Sequence, residues 1–209
     1  MMKKLIIKTA IITLCVALAF CIALFGILSL AAPVLMTDFT ASIGLKNLSG
    51  DFAYSAYERT NEISYLARSA ETAYECENYG EASLRLKEFT RHEGFSAYCG
   101  ERDRENQAGG HAYVVLYADY VYSLVAVSDY RVAKTEAEKT AAYTFAVEHT
   151  AADFPEYNPV ISLCTSAWEE GDKAFLTQIK TSLDHSEKFA GEDEELVNLK
   201  NLLEEYINE

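Results

Sequence analysis

From Thr9 to Thr37 the chain carries no charged side chain, and Ile11 to Leu30 is almost wholly apolar. About 20 such residues in a helix cross the roughly 30 Å hydrocarbon core of a bilayer. A continuous helix also satisfies its own backbone there, which an irregular segment does not. Lys3, Lys4 and Lys8 flank the entry side, whereas Asp38 and a single Lys46 lie near the exit. This basic excess predicts a single-pass cell-membrane protein with a cytoplasmic N-terminus and an extracytoplasmic C-terminal domain. A cleaved signal peptide is the competing reading, because Ser29-Leu30-Ala31 before Ala32 offers small residues on both sides of Leu30. The apolar run exceeds the ~7–15 residues usual for a secretory signal. It also continues through Val34, Leu35 and Met36. A basic tail at 1–8 and a retained anchor at 9–36 are therefore expected, with a folded region beyond.

All 32 acidic residues lie at or after Asp38, so removing the three N-terminal lysines leaves 15 bases against 32 acids, a net −17. Such a field repels phosphates and excludes DNA or RNA as the expected partner. An aromatic content of 12% with only three prolines points to a packed chain rather than a disordered one. Cys15 and Cys21 fall inside the apolar run. Cys76, Cys99 and Cys164 lack C-x-x-C spacing, so they are expected as small buried hydrophobes rather than as a disulfide framework. His92, His111, His149 and His185 are scattered, and no nucleotide-binding or hydrolase motif occurs. His92 beside a helix end suits a dipole partner better than a ligand. No catalytic residue, metal site or cofactor is expected.

Beyond the anchor the period is helical. Ile63, Leu66, Ala67, Ala70, Ala73 and Tyr74 recur at three- and four-residue steps, predicting a helix near 61–77. Tyr79, Ala82, Leu86 and Phe89 supply the face of a second helix, and together they make an αα-hairpin. The turn Glu77-Asn78-Tyr79-Gly80-Glu81-Ala82 has look-alikes at Gly50-Asp51-Phe52-Ala53-Tyr54-Ser55, Ser128-Asp129-Tyr130-Arg131-Val132-Ala133 and Gly171-Asp172-Lys173-Ala174-Phe175-Leu176. Gly or Asn lets the chain reverse, and Asp near a helix start complements the dipole. In this pattern the aromatic residues Phe52, Tyr79 and Tyr130 wedge between paired helices, while Ala82 and Ala133 permit close approach.

The window from Leu66 to Phe89 resembles the tetratricopeptide repeat (TPR), a two-helix unit of about 34 residues. Leu66, Ala70, Tyr79, Ala82 and Leu86 match its large, small, aromatic, small and large positions. Glu77, Ala73 and Phe89 depart from it, and the aromatic turn positions are irregularly spaced. The resemblance implies an all-α protein: irregular TPR-like hairpins over 37–190, used for protein binding and without catalytic residues. Gly94, Gly100, Gly109 and Gly110, with the run Glu101-Arg102-Asp103-Arg104-Glu105, predict a polar connection. Asn158-Pro159 predicts a helix start, followed by an apolar face at Ile161, Leu163, Cys164 and Trp168 that ends near Gly171. Residues 191–209, opening on Glu192-Asp193-Glu194-Glu195, predict a C-terminal capping helix.

Tyr113 to Val127 is rich in Val and Tyr, which favours strand, but its length and place among helices predict a central buried helix. Tyr113, Tyr117 and Tyr120 share one helical face and are the candidate partner-binding surface, since tyrosine is enriched at interfaces. The function expected is an anchored scaffold docking a protein partner, basic in character given the acidic surface. The alternatives are an anchored or secreted binding protein for a cationic or peptide ligand, and a hydrolase of unrecognised type.

Overall fold

The computed structural model describes residues 2–109, 116–150, 159–190 and 194–208. Among them the chain is all-α, without strands. The helices are α1 (Met2–Ala31), α2 (Pro33–Ser42), α3 (Lys46–Thr60), α4 (Ile63–Glu75), α5 (Tyr79–Arg91) and α6 (Phe95–Ala108). After them come α7 (Tyr117–Val132), α8 (Glu136–Glu148), α9 (Pro159–Glu169), α10 (Lys173–Asp184), a 3-10 turn at Glu187–Phe189, and α11 (Glu194–Asn208). Within α1, Lys8–Ala31 is long and apolar enough to cross a membrane, and its most apolar stretch is not buried in the rest of the protein.

The remaining helices form a packed series. α2 packs on α3, α3 on α4, α4 on α5, α5 on α7, α7 on α9, α9 on α10 and α10 on α11, with α6 and α8 beside α7. α7 joins two cores. Its Val121, Leu124 and Val125 meet Leu66, Ala70, Ala82, Leu86 and Phe89. Its Ala126 and Tyr130 belong to a second core with Leu163, Phe175, Ile179, Leu183, Leu196 and Leu203. A helix surrounded by neighbours is apolar nearly all round, and that burial overrides the strand propensity of its valines.

The predicted central helix is therefore present but shifted, running from Tyr117 to Val132. Tyr113, Gly110 and His111 lie outside the described residues, as do Asn158, Gly191, Glu192 and Asp193. Pro159 does open α9.

Two of the four turn look-alikes are turns. At Glu77 and Gly171 the backbone is left-handed, with φ of 59° and 68°. Both helices stop with the same bonds: Asn78 N–H to the Ala73 carbonyl and Asp172 N–H to the Ala167 carbonyl, each 2.9 Å. This is the Schellman arrangement, which satisfies the last free carbonyls of a helix.

The other two are corrections. Gly50 to Ser55 lies inside α3. A Cβ at Gly50 would stand 3.1 Å from Thr72 Cγ2, so this glycine serves the close approach of α3 to α4 rather than a turn. Ser128 to Val132 is the last stretch of α7, where Ser128 is fully buried. The real break follows directly, over 133–135. Thr135 caps α8 through a reciprocal capping box with Glu138.

A third correction concerns the charged run 101–105, which is helical within α6. Its Arg102 pairs with Glu105 at 3.0 Å, and its Asp103 accepts the Tyr117 N–H at 2.7 Å, closing the start of α7.

Candidate interaction groove

The packing of α5, α7, α8 and the two Schellman turns leaves three hollows that share walls. The largest, about 570 Å3, is lined by Glu77 and Tyr79 of one turn, Tyr130, Arg131 and Ala133 at the end of α7, Lys139 of α8, and Glu170 and Asp172 of the other turn. A second of about 230 Å3 shares Ala133 and runs to Ser83, Lys87, Asp129 and Val132. A third of about 410 Å3 shares Lys87 and extends past Leu84, Glu88 and Arg91 to Tyr57 and His92. Linked through Ala133 and then Lys87 as shared walls, the three hollows are together termed the furrow.

Arg131 organises the first of the three hollows. Its Nε donates to Ser166 Oγ at 2.7 Å, one terminal nitrogen pairs with Glu169 at 2.7 Å and the other with Glu170. The guanidinium also stands 5.6 Å from the Tyr79 ring centroid. One side chain thus joins the end of α7 to both turns, and its planar fork suits this several-sided contact. Lys139 Nζ lies 2.5 Å from Asp172 and 3.1 Å from Glu136. Burial disfavours the Asp172 anion, but the Lys139 ammonium and the Phe175 N–H outweigh it and hold the carboxyl below the usual range. Tyr130 donates to the same carboxylate at 3.3 Å; burial and that negative charge push its phenol up. Farther along, Asp129 takes the Lys87 ammonium at 2.6 Å and the Ser83 hydroxyl at 2.5 Å. At the far end Tyr54 donates to Glu88 at 2.8 Å, and that bond with burial pushes its phenol up to about 12.

The furrow is therefore mixed in sign, its Lys87, Arg131 and Lys139 locally matched by carboxylates. Leu84, 67% exposed, and Val132, 40% exposed, add apolar contacts. Alternating charges beside apolar side chains suit a polypeptide segment better than a polyanion. Among the described residues no group of three His, Cys, Asp or Glu side chains is placed to hold a metal ion. Burial pushes the Cys99 and Cys164 thiols up to about 12, so neither is a thiolate at neutral pH. His92 Nδ1 accepts the Gly94 N–H at 3.0 Å, a turn contact rather than a bond to the carbonyls that end α5.

The tyrosine face is a different place. Tyr117 is only 7% exposed, with its hydroxyl donating to Glu71 at 2.5 Å and its ring against Tyr98 and Tyr120. Its ring is core and cannot serve as the outward anchor expected of it, because the same face of α7 packs on the α4–α6 side. Tyr120 is half-buried at the edge of that core. Tyr113 lies outside the described residues.

Of the packing residues, Ala82 is fully buried and Phe52 and Tyr130 are buried. Tyr79 is half-buried and meets Tyr74 edge-on at 5.6 Å. Ala133 is half-buried and lines the furrow after the end of α7 rather than separating two helices. Sequence reasoning missed Lys87, Asp129, Arg131 and Lys139 as a group. The usable signal was Thr135-Glu136-Ala137-Glu138, whose capping box starts α8 and so places the helix break after Val132 rather than at Ser128.

No protein-family model, no curated protein and no solved structure matches this chain.

Proposed function

We propose that this protein is a membrane-anchored, extracytoplasmic scaffold whose TPR-like helical array docks a segment of a protein partner in the furrow between α5, α7 and α8. The observation that carries this reading is the furrow itself, joined to a chain whose first helix is apolar enough to span a bilayer. Mixed charges would set the register of a bound segment, and the apolar side chains Leu84 and Val132 would lengthen its residence. The net charge of the region after the anchor favours a basic partner, recruited faster at low salt. Retention of Lys3, Lys4 and Lys8 in the cytoplasm would place the furrow outside. A small cationic ligand is less well supported, because the Tyr79 ring already faces the Arg131 guanidinium.

The test is photo-crosslinking of the full chain in its native membrane. A photoreactive residue at Leu84 or at Val132 should capture the same discrete partner, in falling yield as salt rises. The same residue at exposed Thr181 should not. Equal capture at all three positions, or none at the two furrow positions, overturns the assignment.

A further inference from the structure

Among the described residues outside α1, the largest run of exposed apolar side chains follows directly after it. α2 turns Pro33, Met36, Thr37 and Thr40 inward against α3. On another side of the same helix Leu35 is 57% exposed and Phe39 48%, and the turn that follows leaves Ile43 53% and Leu45 47% exposed. Leu35, Phe39 and Ile43 repeat at intervals of four, so they form one stripe. Elsewhere the large exposed apolar side chains of the described residues, such as Leu84, Val132 and Trp168, fall one or two to a helix.

The stripe is continuous with the apolar helix before it. Only Ala32 separates α1 from α2, and helical bonds run across it, from Ala32 N–H to the Leu28 carbonyl and from Met36 N–H to the Ala32 carbonyl. The end of α1 is also held to the domain. Phe25 meets Phe52 edge-on at 6.2 Å, and Arg59 donates to the Leu30 carbonyl. The junction is thus a packed corner rather than a free linker.

Charges near the stripe have partners on α4: Asp38 with Arg68 at 2.7 Å, and Lys46 with Glu75 at 3.4 Å. The Ser42 hydroxyl on the exposed side donates to the Phe39 carbonyl at 2.7 Å, so that polar group needs no water.

We propose that this stripe, Leu35, Phe39 and Ile43 with Leu45 beyond it, docks on the lipid bilayer at the membrane–water interface where α1 leaves it. The reading rests on α1 spanning the membrane. An apolar helical face beside a membrane crossing buries about 5–10 Å into the headgroup boundary, as interfacial helices do. A second attachment beside the first would stop the domain swivelling on its anchor and fix its attitude to the bilayer.

Tryptophan fluorescence tests this on the full chain in phosphatidylcholine vesicles with a minor fraction of phosphatidylglycerol. The single native tryptophan is removed by Trp168→Phe, which keeps a ring against Tyr206. In that background Phe39→Trp should emit to the blue, resist acrylamide and be quenched several-fold by lipids brominated near the glycerol end of their chains. Phe20→Trp, inside α1, should be quenched by bromines deep in the chains, and Leu84→Trp by acrylamide alone. Quenching at Phe20→Trp but not at Phe39→Trp overturns the docking face and leaves the anchor standing. Loss of both overturns anchor and docking face together. A Phe39→Trp variant shielded from acrylamide yet indifferent to brominated lipid means that protein, a partner or a second copy, covers the stripe, and the proposal fails.

Discussion

The α4–α5 and α9–α10 hairpins are built on one register and stabilised by different chemistry. Counted from their shared Schellman turns, Leu66, Ala70, Ala73, Ala82 and Phe89 of the first match Val160, Cys164, Ala167, Leu176 and Leu183 of the second, and all ten are buried. Two further buried positions differ in kind. The first hairpin has Ser69 and Arg85, bonded to each other at 2.9 Å, with Arg85 also reaching Asp51 of α3 at 2.8 Å. The second has Leu163 and Ile179, both fully buried. The backbone solution tolerates either a hydrogen-bonded pair or an aliphatic pair at its centre. The polar pair ties the first hairpin to α3; the aliphatic pair adds to the core that α7 and α11 share. The turns differ too. Glu77 occupies the left-handed position in the first, where Gly171 stands in the second. Asn78 makes no side-chain cap, whereas the Asp172 carboxylate accepts the Phe175 N–H at 3.2 Å.

The aliphatic centre should be the costlier one to hollow out. Leu163→Ala removes packing with no polar compensation and is expected to lower stability by about 2–5 kcal/mol. Arg85→Ala leaves buried Ser69 without its donor and should cost about 1–3 kcal/mol. Chemical denaturation of the full chain in detergent measures both. Equal losses would mean that the two pairs contribute alike, and the contrast drawn from their chemistry would fall.

The caps come next. Asp172→Ala should cost about 1–2 kcal/mol, whereas Asn78→Ala should stay within about 0.5 kcal/mol, since no side-chain bond is lost. The Asp172 contribution also depends on pH. Its carboxyl is held below the ordinary range, so that stability is present above about pH 4 and disappears as pH falls through the lowered folded value. The gap between wild type and Asp172→Ala should therefore close in acid. Glu71 in the first hairpin has the opposite sign. Burial raises its carboxyl despite the Tyr117 bond, so its share of stability declines as pH rises above the usual glutamate value. A gap that stays constant from neutral pH into acid would show that Asp172 acts only through its neighbours' packing.

The smallest effect concerns the left-handed residue. Glu77→Gly should raise stability by about 0.5–1 kcal/mol, because relief of the left-handed strain exceeds the added freedom of the unfolded chain. Gly171→Ala should lower it by about 1 kcal/mol for the converse reason. Thermal midpoints moving in the same direction for both variants would break the equivalence of the two turns.

Much of this was legible before folding. The membrane-length apolar helix, the helical period over residues 63–89, the Glu77-Asn78 and Gly171-Asp172 turns and the start of α9 at Pro159 rest on local chemistry: apolar length, side-chain spacing, left-handed backbone and a proline at a first helical position. The furrow was not legible. Arg131 stood in a motif that also fits a turn, and nothing near it in sequence indicates that Ser166, Glu169 and Glu170 wait on α9.

The sequence by itself determined where the chain is apolar, where it is helical and where it can reverse most easily, because those properties depend on a residue and its neighbours within a turn or two. The tertiary structure decided which of four similar motifs became turns. A small residue, an acid and an aromatic also make a good face for close helix packing. Gly50 is drawn against Thr72, and Asp129 and Tyr130 against Lys87 and Phe175, so both segments stay helical. It likewise decided that Tyr117 points inward, since a ring with a hydroxyl suits an interface and a core equally well. The Tyr117 ring packs on Tyr98 and Tyr120, and its hydroxyl reaches the Glu71 carboxylate on a helix distant in sequence.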